Sequence, residues 1–426
     1  MAKLLKAFLA VMIVSSAQAQ TQTEDARSQI REIFHFGTCS SLICLSTSTG
    51  VHGSHYNPDA DAVGQVVVDF LSNAITNSVS NVPLGATSSG TTFAFDAAGM
   101  PIATAQSTGP IFGERSQTLG RGRFLVSGKF TRSSFASLRG VPLNDLQLTL
   151  THEDEAPPGL GDPDFERDTI HIATSLDASV SVFSLSATWG ISNNVDIGFA
   201  IPIVNLSVSG TSIGTIVATT GTVVHYWKGT ATNPQLVDTA RSETKQTGIG
   251  DVSIRAKFNL VQSPIGGAAF LADVRLPTGK KENLLGTGET SVISWFITSL
   301  TLKQFTPHGN IGYLYRSGEN QNSSVLSAVG FDALIAAPFT LAADVVGQWP
   351  VGTEKLTLPK PVTYIDGTVV PRTNIPTGTD NIVAASMGGK LLVGAGFTMV
   401  GNVLFPISEG GMRPNATWTI GLERNF

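Results

Sequence analysis

Charged residues are scarce in this sequence. Asp, Glu, Lys and Arg account for 14% of its 426 residues, whereas about 25% is usual for soluble proteins. A composition so poor in charge argues against an ordinary soluble domain. The formal net charge of −5 and the pI near 5.8 give no reason to expect a nucleic acid as a partner, because nucleic-acid-binding domains carry an excess of basic residues.

Long hydrophobic runs are also missing. Beyond residue 20 no segment reaches the roughly 18 uncharged apolar residues that a membrane-spanning helix requires. The apolar run at residues 7–14 is shorter still, and it follows Lys3 and Lys6 and precedes Ala17-Gln18-Ala19. This order is typical of a secretory signal peptide cleaved after Ala19. We therefore expect residues 1–19 to be a bacterial signal peptide and the mature chain to leave the cytoplasm.

Cysteine is nearly absent. The two cysteines, Cys39 and Cys44, stand close together in CSSLIC, and in an oxidising compartment such a pair favours a small loop disulfide. Neither this pair nor the stretch HGSHYNPDAD at residues 52–61 has a strong metal-site spacing, so we expect no metal and no cofactor. No nucleophile elbow or other local catalytic signature occurs, which argues against an enzyme.

The sequence is rich in alternation of apolar and polar residues. In GDVSIRAKFNL (residues 250–260), Ile254 and Phe258 share one face, whereas Arg255 and Lys257 share the other. A period of two residues predicts β-strands with one apolar and one polar face. Twelve strands are predicted, near residues 122–135, 178–191, 194–209, 247–262, 266–277, 289–304, 308–317, 324–336, 338–350, 381–393, 396–406 and 414–426. Residues 146–153 and 169–176 either extend the first outer loop or add a pair, which would make fourteen strands.

The connections between these strands alternate in length. Short turns fall at residues 192–194, 263–266, 306–309, 337–338 and 394–396, and long connections fall at residues 211–246, 278–289, 318–323 and 352–380. This order is that of outer-membrane barrels, which have short periplasmic turns and longer outer loops. The sequence therefore predicts an all-β fold, a transmembrane antiparallel β-barrel of 12–14 strands over residues 122–426, in the bacterial outer membrane.

The last ten residues, TWTIGLERNF, read as the strand that closes this barrel. Alternation places Trp418, Ile420, Leu422 and Phe426 on a face towards outer-membrane lipid. The terminal aromatic residue resembles the signal read by the outer-membrane insertion machinery, which we expect as a partner during assembly. Arg424 departs from that signal, because an apolar residue would be typical at its position.

Residues 20–121 lack this alternation. Apolar residues near 60–79 recur instead at helical spacing, among Gly-, Ser- and Thr-rich connectors. We expect this region to be a partly helical plug of the lumen or a segment on the periplasmic face, because an exposed apolar stripe must be buried somewhere.

A parity count along the strands predicts which charged residues face the lumen. The basic members are Arg123, Lys129, Arg255, Lys257, Arg275, Arg316 and Lys390, and the acidic members are Asp196, Asp251, Asp273, Asp332 and Asp344. Solvation and cross-strand pairing would by themselves explain charges inside a barrel. The same residues would also line a conduit and select among solutes, so both interpretations stay open.

Several motifs resemble a known family. Gly248, Gly250 and Asp251 at a strand start, followed by LPTG at residues 276–279 and GTG at 286–288, resemble the bacterial family named for the "MetA-pathway of phenol degradation". Members of this family are outer-membrane transporters similar to long-chain fatty-acid and aromatic-hydrocarbon channels. The resemblance implies passive uptake of small molecules, including hydrophobic or aromatic ones. The alternative is a structural or surface-interaction protein whose outer loops bind a partner.

Overall fold

The structure, a computed structural model, describes most of the chain beyond the amino terminus. The described residues are 25–47, 68–75, 93–95, 101–103, 108–154, 159–162, 166–219, 225–318, 321–356, 358–394 and 396–426. The predicted signal peptide and most of the predicted helix near residues 60–79 lie outside this part of the chain. Among the described residues, no helix has the length and apolar character that crossing a membrane would take.

Within the described residues, twelve antiparallel strands form one closed sheet. Each strand pairs with the next along the chain, and the last pairs with the first, with Ile420 opposite Phe130. The strands are β1 (Phe124–Leu138), β2 (Thr169–Gly190), β3 (Val195–Val217), β4 (Val237–Ile249, continued as Val252–Ser263), β5 (Gly266–Leu276), β6 (Ser291–Leu300), β7 (Phe305–Arg316), β8 (Ser324–Ala336), β9 (Phe339–Pro350), β10 (Ile382–Gly394), β11 (Phe397–Pro406) and β12 (Met412–Asn425).

The predicted barrel is confirmed, with twelve strands rather than fourteen. Leu146–Thr151 pairs with the outermost six residues of β2 and, at a single bridge, with Thr373 of an outer loop, so it extends the first outer loop. Short strand pieces also occur in the outer loops and the amino-terminal region, and these are Ser46–Thr47, Phe93–Phe95, Pro101–Ala103, Val141–Pro142, His225–Tyr226, Lys228–Thr230, Asn233–Gln235, Val362–Thr363 and Val369–Val370.

The prediction was wrong about the lengths of β2, β3 and β4. These strands begin or end about ten residues further out than expected, so much of the predicted loop 211–246 is strand. The outer parts of β2 and β3 alternate largely between apolar residues and Ser or Thr, and the outer part of β4 is mostly polar or charged, so none of them has the continuous apolar outward face that marks a membrane strand.

Short turns gather at one end of the barrel and long connections at the other. Residues 191–194, 264–265 and 337–338 form short turns, two residues separate β10 from β11, and the end of β12 meets the start of β1 at the same end. Because short turns face the periplasm in outer-membrane barrels, this end is the periplasmic one. The long loops, including residues 351–381, therefore face the outside of the cell.

The outward side chains form an apolar belt around the barrel. On β12, Trp418, Ile420, Leu422 and Phe426 are 60%, 63%, 45% and 61% exposed, whereas Thr419 and Glu423 between them are buried. The same alternation runs through β3, where Ile197, Phe199 and Ile203 are exposed and Asp196 and Ala200 are buried. An apolar exterior around a polar interior is the pattern of a barrel that lies in lipid.

The two faces of β2 and β3 exchange character at one register row, from which the outer part of β4 also begins. Phe183 and Ile203, which are paired and face outward, are the last apolar residues of the belt, and the next outward pair is Ser181 with Asn205. Beyond this row the outward residues of β2 and β3 are mostly polar, with Ile213 and Val217 as exposed exceptions, and their inward residues, such as Leu206, are mostly apolar. The inward residues of the outer part of β4, such as Ser242 and Thr244, are small or polar. We call these parts of the three strands, residues 169–182, 204–217 and 237–248, the outer extension.

The described amino-terminal residues pack inside the outer extension. Helix α1 (Ala26–Glu32) begins at Asp25, whose side chain accepts a hydrogen bond from Ser28 N at 2.8 Å. Residues 68–75 are also helical, and the two helices are joined by the bond from Arg27 Nη2 to Asn73 Oδ1 at 3.3 Å. One apolar core contains Ile30, Leu71, Trp227, Val180 and Leu206. Cys39 and Cys44 form a disulfide.

Candidate functional site

Residues 108–119, which we call the lumen segment, run through the interior of the barrel towards the periplasmic turn 191–194. Four backbone N–H groups of the segment donate to inward side chains of four strands. These bonds are Thr108 N to Thr340 Oγ1 at 2.9 Å, Glu114 N to Asn310 Oδ1 at 3.3 Å, Ser116 N to Ser299 Oγ at 3.0 Å and Leu119 N to Asp196 Oδ2 at 2.9 Å. Side chains of the barrel wall thus replace the regular strand pairing that this segment lacks.

Two buried ion pairs hold the lumen segment against the wall. Glu114 Oε2 lies 3.1 Å from Lys257 Nζ on β4, and the guanidinium of Arg115 binds Asp332 on β8. The segment thus supplies one anion and one cation to opposite charges on two separate strands. Buried pairs of this kind contribute little net stability, but loss of one partner costs about 3–5 kcal/mol because the other charge stays buried.

The segment passes closest to the wall at Gly113. A Cβ atom at this position would lie 2.3 Å from His308 Nε2 and 2.8 Å from Asp344 Oδ1, so only glycine fits. His308 is fully buried, and its Nε2 lies 2.6 Å from Asp344 Oδ1. The close approach therefore seats the segment on a hydrogen-bonded pair that joins β7 to β9.

A third charged group links the closing strand to its neighbours inside the barrel. Glu423 on β12 lies 2.9 Å from Lys129 Nζ on β1 and 3.1 Å from Lys390 Nζ on β10. All three side chains are buried. The carboxylate on β12 therefore joins three strands of the wall, including the first and the last.

A cavity of about 620 Å³ occupies the lumen on the outer side of the lumen segment. Its floor includes Phe112 and Gly113, and its upper edge reaches the exposed rim residues Gly352, Glu354 and Lys355. Aromatic and aliphatic side chains form much of its wall, and these are Phe70, Phe112, Phe135, Leu271, Ile293, Trp295, Leu314 and Leu326. An apolar chamber thus opens towards the outer rim and ends at the lumen segment.

Trp295 has space inside the barrel because its neighbour is a glycine. Trp295 on β6 is opposite Gly312 on β7, and a Cβ atom at Gly312 would lie 2.6 Å from Trp295 Cε3. The indole therefore lies against the bare backbone of β7 and lines the cavity.

One edge of the cavity is polar. Asp273 on β5 accepts hydrogen bonds from Ser253 Oγ at 2.6 Å and from Arg255 Nε at 3.1 Å, and Arg275 Nε lies 3.9 Å from the same carboxylate. These charged residues line the chamber next to Leu271. The cavity therefore offers a molecule both an apolar surface and a charged rim, as ligand sites commonly do.

The family motifs meet at the break in β4. Asp251 accepts hydrogen bonds from Gly279 N at 3.1 Å, Thr287 N at 2.8 Å and Thr287 Oγ1 at 2.9 Å. Thr278 Oγ1 donates to Gly250 O at 2.7 Å. A Cβ atom at Gly286 would lie 2.2 Å from Asp251 Oδ1. The three motifs therefore fasten the loop 277–290 to the strand at the edge of the belt.

The predicted lumen residues thus fall into several groups. Asp196, Lys257 and Asp332 hold the lumen segment, Asp344 supports it through His308, and Lys129 and Lys390 bind the closing strand. Arg255, Asp273 and Arg275 line the cavity, whereas Asp251 holds a loop. Arg316 is buried and binds Gln321, which also lines the cavity, and Arg123 lies half-buried at the periplasmic start of β1.

Sequence reasoning missed several residues of this site. Trp295 was missed because β6 has apolar residues on both faces, so the alternation of residues does not show which side chains face the lumen. His308 was missed because the predicted strand began at that residue, whereas β7 begins at Phe305. Glu114 and Arg115 lie in a stretch without any strand or helix period, where no local signal could have shown their partners.

The fold and the lumen define the class of protein. A closed antiparallel barrel with an even number of strands, an apolar belt and a polar interior is the architecture of bacterial outer-membrane proteins. The protein is a twelve-stranded β-barrel of the bacterial outer membrane.

A family model matches part of the chain. The family model described as "Putative MetA-pathway of phenol degradation" matches residues 162–355, which confirms the predicted family resemblance. The matched residues include the Asp251 cluster and most of the charged residues that line the cavity. Among curated protein sequences, none matches the chain.

Solved structures with a similar barrel include three channels. An outer-membrane channel from Pseudomonas putida F1 is 10% identical with a TM-score of 0.41, over 73% of this chain and 98% of that one. The CymD monoaromatic hydrocarbon channel is 8% identical with a TM-score of 0.34, over 72% and 89%. A Pseudomonas aeruginosa FadL homologue is 10% identical with a TM-score of 0.33, over 72% and 90%. Similarity at this level carries no argument about solute or mechanism.

Proposed function

We propose that this barrel carries small hydrophobic or aromatic molecules passively across the outer membrane. The observation that supports this proposal most strongly is the cavity of about 620 Å³ in the lumen, which opens to the outer rim and has a wall of apolar and aromatic side chains. A chamber of this size would hold a molecule of one or two aromatic rings. Trp295 and Phe112 supply flat surfaces for such rings.

The lumen segment is the barrier in this proposal. It lies between the cavity and the periplasmic end, and the ion pairs of Glu114 and Arg115 fix it to the wall. A solute that enters from the outer rim would therefore stop at Phe112 and Gly113 until the segment moves. On this view residues 20–121 act as a plug whose helical part closes the outer extension and whose last part closes the lumen.

We infer transport rather than catalysis from the same contacts. Among the described residues, the acidic groups that face the cavity are engaged with cations or backbone donors, as Asp273 is with Arg255 and Asp380 with Arg139. Such groups position charge along a path and are poorly placed for proton transfer to a solute. Passive entry down a concentration gradient requires no cofactor.

Uptake by intact cells is the appropriate test, because hydrophobic solutes dissolve directly into the bilayer of a simple liposome. Cells that produce the barrel would be exposed to N-phenyl-1-naphthylamine, whose fluorescence rises when it leaves water. We expect faster entry than in cells without the barrel. Replacement of Trp295 by Ala should slow entry severalfold, because it removes the largest apolar surface of the chamber.

The barrier is tested by a matched pair of variants. Glu114→Gln leaves Lys257 buried without its carboxylate, which weakens the hold on the lumen segment by about 3–5 kcal/mol, so entry should become faster. Glu243→Gln breaks a Lys–Glu pair on the exposed outer face and should change nothing. Cells with the barrel and cells without it could take up the dye at the same rate, even when residues 20–121 are deleted. That result would favour the alternative of a structural or surface-interaction protein.

The closing strand supports a proposal about assembly. Its outward face is an apolar edge, interrupted at Arg424, that consists of Trp418, Ile420, Leu422 and Phe426. We infer that the outer-membrane insertion machinery recognises this strand. Deletion of Phe426 should reduce the amount of assembled barrel, measured as the fraction that migrates in heat-modifiable form on a gel.

A further inference from the structure

Arg424 is an arginine within the apolar belt. It lies on the outward face of β12, between Leu422 and Phe426 in the alternation of that strand. Its cross-strand partners are Phe397 on β11 and Val126 on β1, and both are apolar residues of the same face. A charged side chain on a lipid-facing surface is costly unless its charge reaches polar groups.

Two aromatic rings hold this guanidinium. Its central carbon lies 4.6 Å from the centre of the Phe397 ring and 4.5 Å from the centre of the Phe426 ring. Cation–π contacts at these distances favour a fixed position for the side chain. A guanidinium also carries five N–H donors that seek acceptor oxygens, and neither phenylalanine ring supplies one. The rings therefore fix the orientation of the side chain without satisfying its donors.

No anion of the described chain neutralises Arg424. Within the residues that the structure describes, no carboxylate, including the terminal one of Phe426, forms an ion pair with it, and its Nε is buried without a hydrogen-bond partner. Phe426 N and Phe124 O pair at 2.8 Å one row further towards the periplasm. Arg424 thus lies one row inside the periplasmic rim, at the depth where lipid headgroups meet hydrocarbon.

We propose that Arg424 binds the phosphate of a phospholipid in the periplasmic leaflet of the outer membrane. The planar guanidinium can donate two parallel hydrogen bonds to phosphate oxygens. The site faces lipid and not the lumen, and its surroundings, Phe397, Phe426 and Val126, match the acyl chains and glycerol region of such a lipid. This also explains why a charged residue replaces the apolar one expected before the carboxyl terminus. The proposal is independent of the transport function.

Native mass spectrometry of the detergent-solubilised full chain tests this site. The probes are dioleoylphosphatidylglycerol and, as a control with the same chains and no phosphate, dioleoylglycerol. We expect retained phosphatidylglycerol on the wild-type barrel and about tenfold weaker retention after Arg424→Gln, as for the loss of one charge-assisted contact. Arg424→Lys should retain an intermediate amount, because lysine keeps the charge without the planar fork.

Arg132→Gln is the matched control. Arg132 also faces outward, but it lies at the opposite boundary of the belt, opposite Trp418, so retention should equal that of the wild type. Heat-modifiable migration would show that each variant is folded. Equal retention of phosphatidylglycerol by folded wild type and Arg424→Gln would overturn the proposal. The proposal would also be overturned if the wild-type barrel retained dioleoylglycerol as well as it retains dioleoylphosphatidylglycerol.

Discussion

The belt and the outer extension share three strands, and two of these, β2 and β3, have opposite faces in the two regions. Within the belt, β3 places Phe199 outward and Asp196 inward. Within the outer extension, the same strand places Asn205 outward and Leu206 inward. The hydrogen-bonded ladder between β2 and β3 continues through the change without a break. The backbone pairing is therefore the same in lipid and in water, and only the side chains change at the boundary of the membrane.

This comparison shows how a membrane boundary can be read along a strand. In lipid, the outward face must be apolar and the interior can hold water or charge. In water, the outward face is polar and the interior needs an apolar core, which α1 and residues 68–75 complete. The described amino-terminal residues therefore complete the core of the outer extension, and the proposal that this region also plugs the lumen is a separate one.

The largest effect should follow from a charge in the core of the outer extension. Leu206 is fully buried there, so Leu206→Asp should cost about 4 kcal/mol or more and unfold the extension. Ser207→Asp, on the outward face opposite Lys245, should be tolerated. Limited trypsin digestion checks both, with cleavage at Arg241 as the readout. If Leu206→Asp resists trypsin as well as Ser207→Asp does, the extension has no apolar core of the kind described.

A second pair of variants compares the same face on the two sides of the boundary. Phe199→Lys puts a cation into the belt and should cost about 2–4 kcal/mol of barrel stability near the middle of the membrane. Asn205→Lys puts the same cation on the same face of β3 beyond the boundary and should change little. The measurement is unfolding by denaturant in lipid vesicles. Equal losses would mean that the boundary does not lie between Ile203 and Asn205.

A third variant acts at the junction between the two regions. Asp251 lies where β4 passes from the outer extension into the belt, and Asp251→Ala would leave the Gly279 and Thr287 N–H groups without their acceptor. We expect a cost of about 2–3 kcal/mol, confined to the loop 277–290, and faster trypsin cleavage after the exposed Lys280. Thr287→Val removes only one of the three bonds and should have a smaller effect. Unchanged cleavage in both would show that the motif does not fasten this loop.

Much of the barrel could be predicted from the sequence because a membrane strand imposes a strong pattern. Alternation over ten residues located β5 and β8 to within two residues of their observed starts. The prediction made β2, β3 and β4 too short because most outward residues of the outer extension are polar, and many are Ser, Thr or Asn, which are also typical of loops. Where the apolar face of a strand changes sides, the alternation of apolar and polar residues also changes phase. A sequence window that spans this boundary therefore shows no clear period of two.

The site was harder to predict than the wall. Parity along single strands indicated inward charges such as Lys257 and Asp332, but their partners Glu114 and Arg115 are more than 140 residues away in the chain. Local patterns contain no information on which distant segment enters a lumen. The apolar wall of the cavity was equally hidden, because Trp295 and Ile293 share a strand whose outward face is also apolar.

The smallest expected effect concerns acid in the outer extension. Burial raises the pKa of the Asp168 carboxyl, but hydrogen bonds from the His225 ring and from Thr219 N outweigh burial and hold the pKa below its usual value of 3.8. A carboxyl whose pKa is lowered by folding stabilises the folded state above its unfolded pKa, and this stabilisation is lost as the pH falls through the folded pKa. Acid should therefore loosen the extension below about pH 4.

Hydrogen exchange of the Thr219 amide, corrected for the intrinsic effect of pH, measures this loosening. Protection in the wild type should fall between pH 5 and pH 3, because the amide donates to Asp168 Oδ1 at 2.9 Å. Asp168→Asn should start with lower protection at pH 5 and show no further fall. Glu243→Gln, at the exposed pair with Lys245, should keep the wild-type dependence because solvent screens that pair. If the protection of the Thr219 amide in Asp168→Asn falls with acid as much as it does in the wild type, another group is responsible for the pH dependence. Among the described strand residues, no carboxyl lies on the outward face of the belt, so the amides of the belt should keep their protection over the same pH range.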